Sequence, residues 1–507
     1  MILLDGSTLT VERVLAVARD REKVALAPAA RRAIERSHRA LEGIVRRGEP
    51  AYGITTGFGE LERVRIPPSQ VRELQVNLIR SHAVGTGAPL PSEAVRAGML
   101  IRANALAKGY SGVRPAVIDL LLGMLNKGVH PVVPSRGSLG ASGDLAPLAH
   151  IALVMIGEGE ALYRGKRLAG RAALRAARLK PLRLESKEGL AVLNGTAVMS
   201  GLGCLLVADA LALLRDAEIA ASMSLEALRG SPKPFDERLA RIKRQIGQHL
   251  VAGNMTKLLR GSEIAESHKG PHRVQDPYSL RCIPQILGAC FESFHYARQV
   301  LEIEVNSATD NPLIFPETGE SLSGGNFHGQ SAGMALDFLA LGLTVLGSVA
   351  ERRVARLMDA HLSELPAFLT EKGGLRSGMM LLRYTAAALA SENKVLAHPA
   401  TADSIPTSAN QEDYVSMGQT AALKARQVLE NARRVVAIEY LCAAQGLEFL
   451  RPLRPGAGPR VAHRVIRGSI PRLTEDRPQS ADIERVAAMI ASGEIARAVE
   501  AKVGKLA

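Results

Sequence analysis

Apolar residues recur along most of the 507-residue chain at the spacing of helices. Helices are predicted in the first part of the chain at 11–18, where the pattern is amphipathic, and at 29–47, 71–80 and 93–107. Longer segments that are almost continuously apolar are predicted to be buried helices: 199–228, 281–305, 331–358, 376–397 and 415–448. Long helices of this kind indicate a mostly α protein built around a large bundle.

The length of the chain indicates more than one domain, because single hydrophobic cores stop growing beyond about 300 residues. We predict a smaller N-terminal helical domain over 1–198 and a central and C-terminal helical-bundle domain over 199–507. The apolar segment 338–350 lies between Asp337 and Glu351. It is too short to span a bilayer and is predicted to be a buried helix, so no membrane partner is expected.

The formal charge of +14 and the pI of about 9.8 raise the possibility of nucleic-acid binding. The densest basic run, 164–187, carries Arg171, Arg175 and Arg178 at helical spacing and has one aromatic neighbour, Tyr163. A solvated helix face explains this run better than a nucleic-acid surface, which would interleave aromatic residues. We therefore expect no nucleic-acid partner, and a basic helical nucleic-acid-binding protein remains the alternative from another class.

The cysteines and the N-terminus indicate a cytoplasmic protein. The four cysteines form no CxxC pair and lie in apolar surroundings, which predicts reduced, buried thiols. The first residues have no basic region followed by a long apolar stretch, so no signal peptide is expected.

The glycine-rich stretch 137–150, GSLGASGDLAPLAH, has two interpretations. In a sharply bent chain the nitrogen of Gly143 could attack the Ala141 carbonyl and close a five-membered ring, because glycine adopts conformations closed to other residues. Loss of water from the ring and from Ser142 would leave an exocyclic methylene, which is an electrophile. Alternatively, Ser142 is the N-cap of a helix that begins near Asp144.

Other chemistries are less well supported by the sequence. A serine-hydrolase elbow needs glycine two residues after Ser142, where Asp144 stands. His268 and His272 have the spacing of zinc ligands on a helix, but Gly270 and Pro271 would break that helix, so no metal site is predicted.

Polar residues elsewhere form a more coherent set. Gln275, Tyr278 and Arg281 can share one helix face or its entry turn, where the arginine could bind a carboxylate and the tyrosine could serve as a base. An arginine tied to a helix end is the alternative. Tyr52 lies in a loop over 51–59 that either covers a pocket or only connects helices, and Glu412 could simply cap a helix.

Four motifs are distinctive in combination: GSLGASGDLAPL, QDPYSLRC, NSATDNP and DSIPTSANQED. On these motifs the chain resembles the aromatic amino acid ammonia-lyases that make a methylidene-imidazolone (MIO) cofactor from Ala-Ser-Gly, and among them the histidine ammonia-lyases most. The resemblance covers nearly the whole chain. It implies a fumarase/aspartase-like bundle with the MIO loop in the N-terminal domain. It also implies a homotetramer in which three chains contribute to each active site.

The resemblance implies a role for each candidate residue. Ala141, Ser142 and Gly143 would form 4-methylidene-imidazole-5-one (MIO), so no external cofactor is expected. The remaining roles are these: Asn194 helps to hold the ring, Arg281 binds the substrate carboxylate, Tyr52 is the catalytic base or acid with Tyr278 supporting it, and Gln275 and Phe327 line the pocket.

The resemblance also bears on the substrate. His82 and Glu412 favour histidine, because an imidazole ring needs polar partners. The implied activity is a carbon–nitrogen lyase that converts L-histidine to trans-urocanate and ammonia. Four positions depart from the histidine-lyase pattern, namely Ala197, Ile283, Arg383 and Tyr414. The first two resemble tyrosine aminomutases or phenylalanine lyases, so a tyrosine or phenylalanine lyase or 2,3-aminomutase is the alternative.

Overall fold

The computed structural model describes residues 1–48, 51–59, 63–268 and 274–507. The described chain is mostly helical, which confirms the predicted fold class. It forms two compact units that are interleaved along the sequence. The first consists of Met1–Leu205, Ala297–Asp337 and Pro399–Leu423, and the second of Leu206–Tyr296, Phe338–His398 and Lys424–Ala507. The domain division at residue 198 stays a prediction.

The first unit combines short helices with small sheets. Helix α1 begins after Thr10, whose side chain accepts a hydrogen bond from the Arg13 amide. Helix α2 begins with Pro28 and ends at Gly48, which adopts a left-handed conformation with φ of 68°. The helices within this unit are α1 (Val11–Ala18), α2 (Pro28–Arg47), α3 (Val71–His82), α4 (Ser92–Ala107), α5 (Pro115–Lys127), α6 (Leu145–Met155), α7 (Gly170–Ala176) and α8 (Glu188–Leu193).

The strands of the first unit pair in four small sheets. The strands are β1 (Ile2–Leu4), β2 (Val24–Leu26), β3 (Thr86–Pro89), β4 (Val129–Pro131), β5 (Pro134–Arg136), β6 (Glu160–Tyr163), β7 (Lys166–Ala169), β8 (Leu313–Phe315) and β9 (Glu320–Leu322). Strands β1 and β2 are parallel, whereas β3–β5, β4–β6–β7 and β8–β9 are antiparallel. A cluster of buried residues from α2, the following loop and β8 forms one part of the core: Leu41, Ile44, Ala51, Ile54 and Ile314.

Four long helices belong partly to each unit: α9 (Ala197–Ala227), α14 (Ile283–Glu304), α15 (Gln330–Met358) and α18 (Gly418–Glu448). The remaining helices lie in the second unit: α10 (Glu237–Lys243), α11 (Ile246–Leu258), α12 (Glu263–Ser267), α13 (Tyr278–Arg281), α16 (Ala360–Ser363), α17 (Met380–Leu396), α19 (Ala457–Ser469), α20 (Ser480–Ser492) and α21 (Glu494–Val503). The five predicted long helices are all present, with ends within four residues of the prediction.

Two long helices are apolar enough to cross a membrane by length and composition alone. They are α9 and α15, and 78% and 67% of their most apolar windows are buried within the protein. Segment 338–350 is part of this 29-residue helix α15, and the prediction that it belongs to a buried helix is confirmed. Burial of this extent is typical of core helices in soluble proteins, which pass the same test.

The basic segment also differs from its prediction. Residues 160–169 form the hairpin of β6 and β7, and only Gly170–Ala176 is helical. Arg178 lies beyond that helix with φ of 55°, so it does not extend the helical face of Arg171 and Arg175. All three arginines are exposed.

Candidate active site

The glycine-rich stretch forms a tight turn between β5 and α6. Gly140 and Gly143 pair across an antiparallel bridge, which places Ala141 and Ser142 at the tip. The residue that precedes α6 is Asp144, and no side chain caps this helix end. The alternative interpretation of Ser142 as a helix N-cap is therefore wrong.

Gly143 is held in a conformation and a space that only glycine fits. Its φ is 76°, and a Cβ at this position would lie 2.2 Å from the carbonyl oxygen of Gly195. Gly195 in turn binds the turn on both sides, because its amide donates to the Ser142 carbonyl at 3.0 Å and its carbonyl accepts from the Asp144 amide at 2.7 Å. The bend that ring closure requires is thus built into the backbone.

Asp144 fixes the turn to the start of α9. Its fully buried carboxylate accepts hydrogen bonds at Oδ2 from the amides of Val198 and Met199, at 2.7 and 2.9 Å. Burial raises the pKa of Asp144 to about 7, and the two amide donors oppose that rise.

Asn194 is anchored by a buried ion pair that sequence reasoning missed. Its Nδ2 donates to Asp310 Oδ1 at 3.2 Å and to the Asn311 carbonyl at 3.1 Å. Lys187 Nζ donates to the other oxygen of Asp310 at 2.5 Å, and both charged side chains are buried. Burial lowers the pKa of Lys187, and the charge and hydrogen bond of Asp310 counteract that effect.

A cavity of about 310 Å³ opens over the turn, entirely within the first unit. Six of the predicted site residues line it: Tyr52, Ala141, Ser142, Asn194, Phe327 and Glu412. They come from segments of the chain that are far apart in sequence, yet they surround one space. Loop 51–59 therefore carries Tyr52 over a pocket, and the alternative of a plain connector is wrong.

The hydroxyl of Tyr52 is oriented within its own loop. The amide of Gly59 donates to it at 3.0 Å, and its ring packs edge-on against Phe58 with centroids 6.1 Å apart. A donor at the phenol oxygen stabilises negative charge there, which suits a tyrosine that exchanges a proton with a substrate.

Glu412 is held by Thr407 rather than by a helix end. Its backbone pairs with that of Thr407 in an antiparallel bridge, and Thr407 Oγ1 donates to Glu412 Oε2 at 2.7 Å. Since α18 begins only at Gly418, Glu412 does not cap it. Glu412 is one of the residues that line the cavity.

Apart from Gly143, which lies within the turn, four predicted site residues are not among the described residues that line the cavity. His82, in the same unit, binds the Leu78 carbonyl at 2.8 Å through Nδ1. Burial lowers the pKa of His82, while the bond to Leu78 and the charge of Glu412 oppose the shift, so these two predicted residues interact electrostatically. The other three, Gln275, Tyr278 and Arg281, belong to the second unit.

The second unit brings two of its three predicted residues together. The Arg281 guanidinium carbon lies 4.6 Å from the centre of the Tyr278 ring, and 69% of Tyr278 is exposed. Gln275 precedes α13 and is exposed as well. The predicted adjacency of Tyr278 and Arg281 is confirmed.

The described residues contain no cluster of three or more metal-binding side chains. Of the two histidines with the spacing of zinc ligands, His268 follows α12 and His272 lies outside the described residues. Of the cysteines, Cys204, Cys290 and Cys442 are buried as predicted, and Cys282 is half-buried. Burial raises the pKa of Cys204 and Cys290 to about 12, so these thiols are poor nucleophiles.

Comparison with known proteins agrees with the geometry of the turn. The family model for aromatic amino acid lyases matches residues 9–468. The chain belongs to the aromatic amino acid lyase family. A curated relative, the histidine ammonia-lyase of Gloeobacter violaceus, is 53% identical over all of this chain and 98% of its own length. The predicted family is thereby confirmed.

Solved structures of the aromatic amino acid lyase fold resemble the chain over almost its whole length. The histidine ammonia-lyase of Trypanosoma cruzi has a TM-score of 0.91 and 41% identity, covering 99% of this chain and 95% of its own. A tyrosine aminomutase of Streptomyces globisporus has a TM-score of 0.95 and 40% identity, covering 100% of both chains. The fold is therefore shared by lyases and mutases.

Several lining residues of this aromatic amino acid lyase were not predicted individually. Asn311 orders the loop beside the cavity, because its Oδ1 accepts from Ser323 Oγ at 3.2 Å and from the Gly324 amide at 2.7 Å. His328 stacks near Tyr414 and binds its carbonyl at 3.2 Å. Both lie in polar motifs that interrupt apolar helices, and that interruption was the available signal.

Proposed function

We propose that this chain is a histidine ammonia-lyase, which converts L-histidine to trans-urocanate and ammonia without an added cofactor. The observation that carries the proposal is the cavity that joins the Ala141-Ser142-Gly143 turn to Tyr52, Asn194 and Glu412. This chain is more than 50% identical to curated relatives that are named histidine ammonia-lyase, which supports the same substrate.

The triplet fits the MIO group that the family implies. The bridge between Gly140 and Gly143 bends the chain, and Gly195 contacts Gly143 too closely for any other residue. Asn194 lies at 2% exposure beside the turn and holds the ring. When formed, the ring supplies an electrophile that converts the substrate amino group into a good leaving group.

The chain's own residues bind the substrate and move its protons. Glu412, with His82 behind it, binds the imidazole, and Phe327 packs against it. Tyr52 exchanges a proton with the substrate. Arg281 binds the carboxylate through its planar guanidinium, with Tyr278 and Gln275 beside it.

A homotetramer completes the site in this proposal. Phe338, Leu341 and Val345 follow one another on one face of α15 with 44%, 47% and 39% of their surface exposed. An apolar stripe of this kind is typical of a surface that a protein partner covers. A further copy of this chain covers it and supplies Gln275, Tyr278 and Arg281. A cytoplasmic location, and the lack of nucleic-acid and membrane partners, stay predictions.

The second candidate is a tyrosine or phenylalanine lyase or 2,3-aminomutase. The tyrosine aminomutase that resembles the chain over its full length favours it, as do Ala197 and Ile283.

Product analysis separates these candidates. The purified protein is incubated with histidine, tyrosine or phenylalanine, and the ultraviolet absorbance of each unsaturated product is recorded. We expect urocanate from histidine. Coumarate or cinnamate without urocanate would contradict the histidine assignment, and a β-amino acid would indicate the mutase.

Intact mass tests the ring. The wild-type chain should be lighter than its sequence by two waters, whereas Ser142→Ala should keep its full mass and lose activity by about 1,000-fold or more. Ser135→Ala, in β5 before the turn, is the control and should lose the two waters.

A further inference from the structure

Arg102 is a buried cation on α4 with most of its hydrogen-bonding capacity unused. Its side chain is 1% exposed, and Nη1 donates to the carbonyl oxygen of Asn194 at 2.5 Å. Within the described chain, its Nε and Nη2 have no hydrogen-bond partner. Burying a charge without partners costs free energy, so such a group in a folded protein requires an explanation.

Another buried arginine on helix α4 uses its hydrogen-bonding capacity much more fully. Arg96, also on α4 and 2% exposed, donates through Nε, Nη1 and Nη2 to the carbonyls of Val17, Ala18 and Leu125, at 2.5 to 3.1 Å. It ties the ends of α1 and α5 to α4. Arg102 makes no comparable set of bonds, which argues against a purely structural role.

The single bond of Arg102 leads to the turn through one peptide group. The Asn194–Gly195 peptide accepts from Arg102 at its oxygen and donates from its N–H to the Ser142 carbonyl at 3.0 Å. A charged donor makes a stronger hydrogen bond, and bonds at the two ends of one peptide reinforce each other. The charge of Arg102 therefore polarises the Ser142 carbonyl.

Close packing keeps this relay in place. A Cβ at Gly195 would lie 2.4 Å from Arg102 Nη1 and 2.3 Å from the Thr309 carbonyl oxygen. Only glycine allows the guanidinium to approach the peptide this closely. Burial lowers the pKa of Arg102, and the nearby charge of Asp310 opposes this larger effect. Arginine nevertheless keeps its proton in proteins.

We propose that Arg102 is a positioning residue for formation of the ring, acting through the Asn194–Gly195 peptide on the Ser142 carbonyl. The inference rests on the proposed function, since it presupposes that the ring forms. In that reaction a bond forms between Gly143 N and Ala141 C. The Ala141 oxygen leaves as water with the protons of the Gly143 and Ser142 amides. Ser142 then loses its Cα proton and its hydroxyl as a second water.

The Ser142 carbonyl is adjacent to two of the three atoms that must lose a proton. It is bonded to the Gly143 nitrogen on one side and to Ser142 Cα on the other. Drawing electron density onto its oxygen stabilises the negative charge left when either proton departs. Removal of the Arg102 charge should therefore slow ring formation while leaving the folded backbone in place.

The test compares a charged and a neutral replacement in the full-length protein. Arg102→Lys keeps a cation beside Asn194, whereas Arg102→Gln keeps only a neutral amide. The proteins are made by cell-free synthesis, and the loss of two waters is followed by intact mass over time. We expect Arg102→Gln to lose the waters about tenfold more slowly than Arg102→Lys. Should Arg102→Gln not fold, Arg102→Met serves as the neutral variant.

Controls separate this proposal from general destabilisation. Arg96→Gln removes a buried arginine from the same helix, and it should unfold at lower urea concentration while losing the two waters at the wild-type rate. Equal rates for the charged and neutral Arg102 variants would overturn the inference alone. A wild-type chain that keeps its full mass would instead overturn the proposed ring, and this inference with it.

Discussion

Glu412 is the carboxylate that we propose binds the imidazole ring. The Thr407 hydroxyl holds Oε2, and two backbone hydrogen bonds between these residues, at 3.0 and 3.3 Å, fix the segment that carries them. A carboxylate held in this way loses little conformational entropy when it accepts a ring N–H. Phenyl and phenol rings offer no N–H, so in the proposed function Glu412 would distinguish histidine from phenylalanine and tyrosine.

Replacement of Glu412 by glutamine should weaken recognition of histidine selectively. A hydrogen bond to a charged group contributes about 1.5–3 kcal/mol, so kcat/KM on histidine should fall about tenfold or more. Inhibition by cinnamate, which lacks the imidazole, should stay the same. Steady-state kinetics with both compounds measure the two effects. Asp413→Asn, at the neighbouring lining position, is the control, and equal weakening toward both compounds would contradict the role of Glu412.

The residues of the site differ in how far sequence reasoning reached them. The triplet, Tyr52 and Glu412 were predicted because each stands in a polar or glycine-rich interruption that apolar packing does not explain. Lys187 and Arg102 were not, since their partners lie far along the chain. Their importance depends on long-range contacts that a linear pattern does not contain.

At the level of elements, long helices were predicted well and short strands were not. A 30-residue apolar helix repeats its period many times, so its signal accumulates. Strands such as β2 and β7 have three or four residues and depend on pairing with distant segments. The same limitation explains why the basic segment 164–187 was predicted as a helix face although its first residues, 164–169, belong to the hairpin of β6 and β7.

Helix α9 carries carboxylates in an almost wholly buried stretch. Asp216, Glu218 and Glu226 are all 1–2% exposed, and burial raises their pKa values to about 7, 8 and 7. Each has a hydrogen-bond partner, such as Asn254 Nδ2, which donates to Glu218 at 2.7 Å. Because their pKa values are raised, these groups make the protein less stable as pH rises. Surface acids that are paired with cations have the opposite effect.

The substitution Glu218→Gln should raise the free energy of unfolding, relative to wild type, more at high pH than at low pH. The pKa of Glu218 rises from 4.5 to about 8 on folding, so between these values the native state holds an extra proton. The wild-type free energy of unfolding therefore loses about 1.4 kcal/mol per pH unit from this group as pH rises through that window. The Glu218→Gln variant has no carboxylate at this position, so its free energy of unfolding does not fall for this reason. Urea unfolding at pH 5 to 9 and fixed protein concentration measures the difference.

The exposed Glu73→Gln serves as the control for this measurement. Its stability relative to wild type should stay nearly constant over the same range. A difference between Glu218→Gln and wild type that does not change with pH would show that burial of this carboxylate is not what sets its proton affinity.

At the scale of the whole molecule, the homotetramer proposed above would build each site from more than one chain. The described cavity lies in one unit and contains the ring-forming triplet, a tyrosine and a carboxylate. Arg281 belongs to the other unit, next to the exposed Tyr278. The apolar stripe of Phe338, Leu341 and Val345 lies on this second unit as well. Residues exposed beside an apolar surface become part of an interface when copies of the chain associate.

Co-expression of two inactive variants should restore activity if the sites are shared. Ser142→Ala removes the ring and Arg281→Met removes the carboxylate anchor, so each homotetramer alone should be inactive. In mixed tetramers an intact site takes Ser142 from one chain and Arg281 from another. When the two variants associate at random, about a quarter of the sites have this combination. Activity on histidine, measured on tetramers carrying both of two different affinity tags, should therefore recover to about that fraction. Mixing the purified proteins without exchange of subunits is the control and should remain inactive. Absence of recovery in doubly tagged tetramers would mean that each chain builds its own complete site.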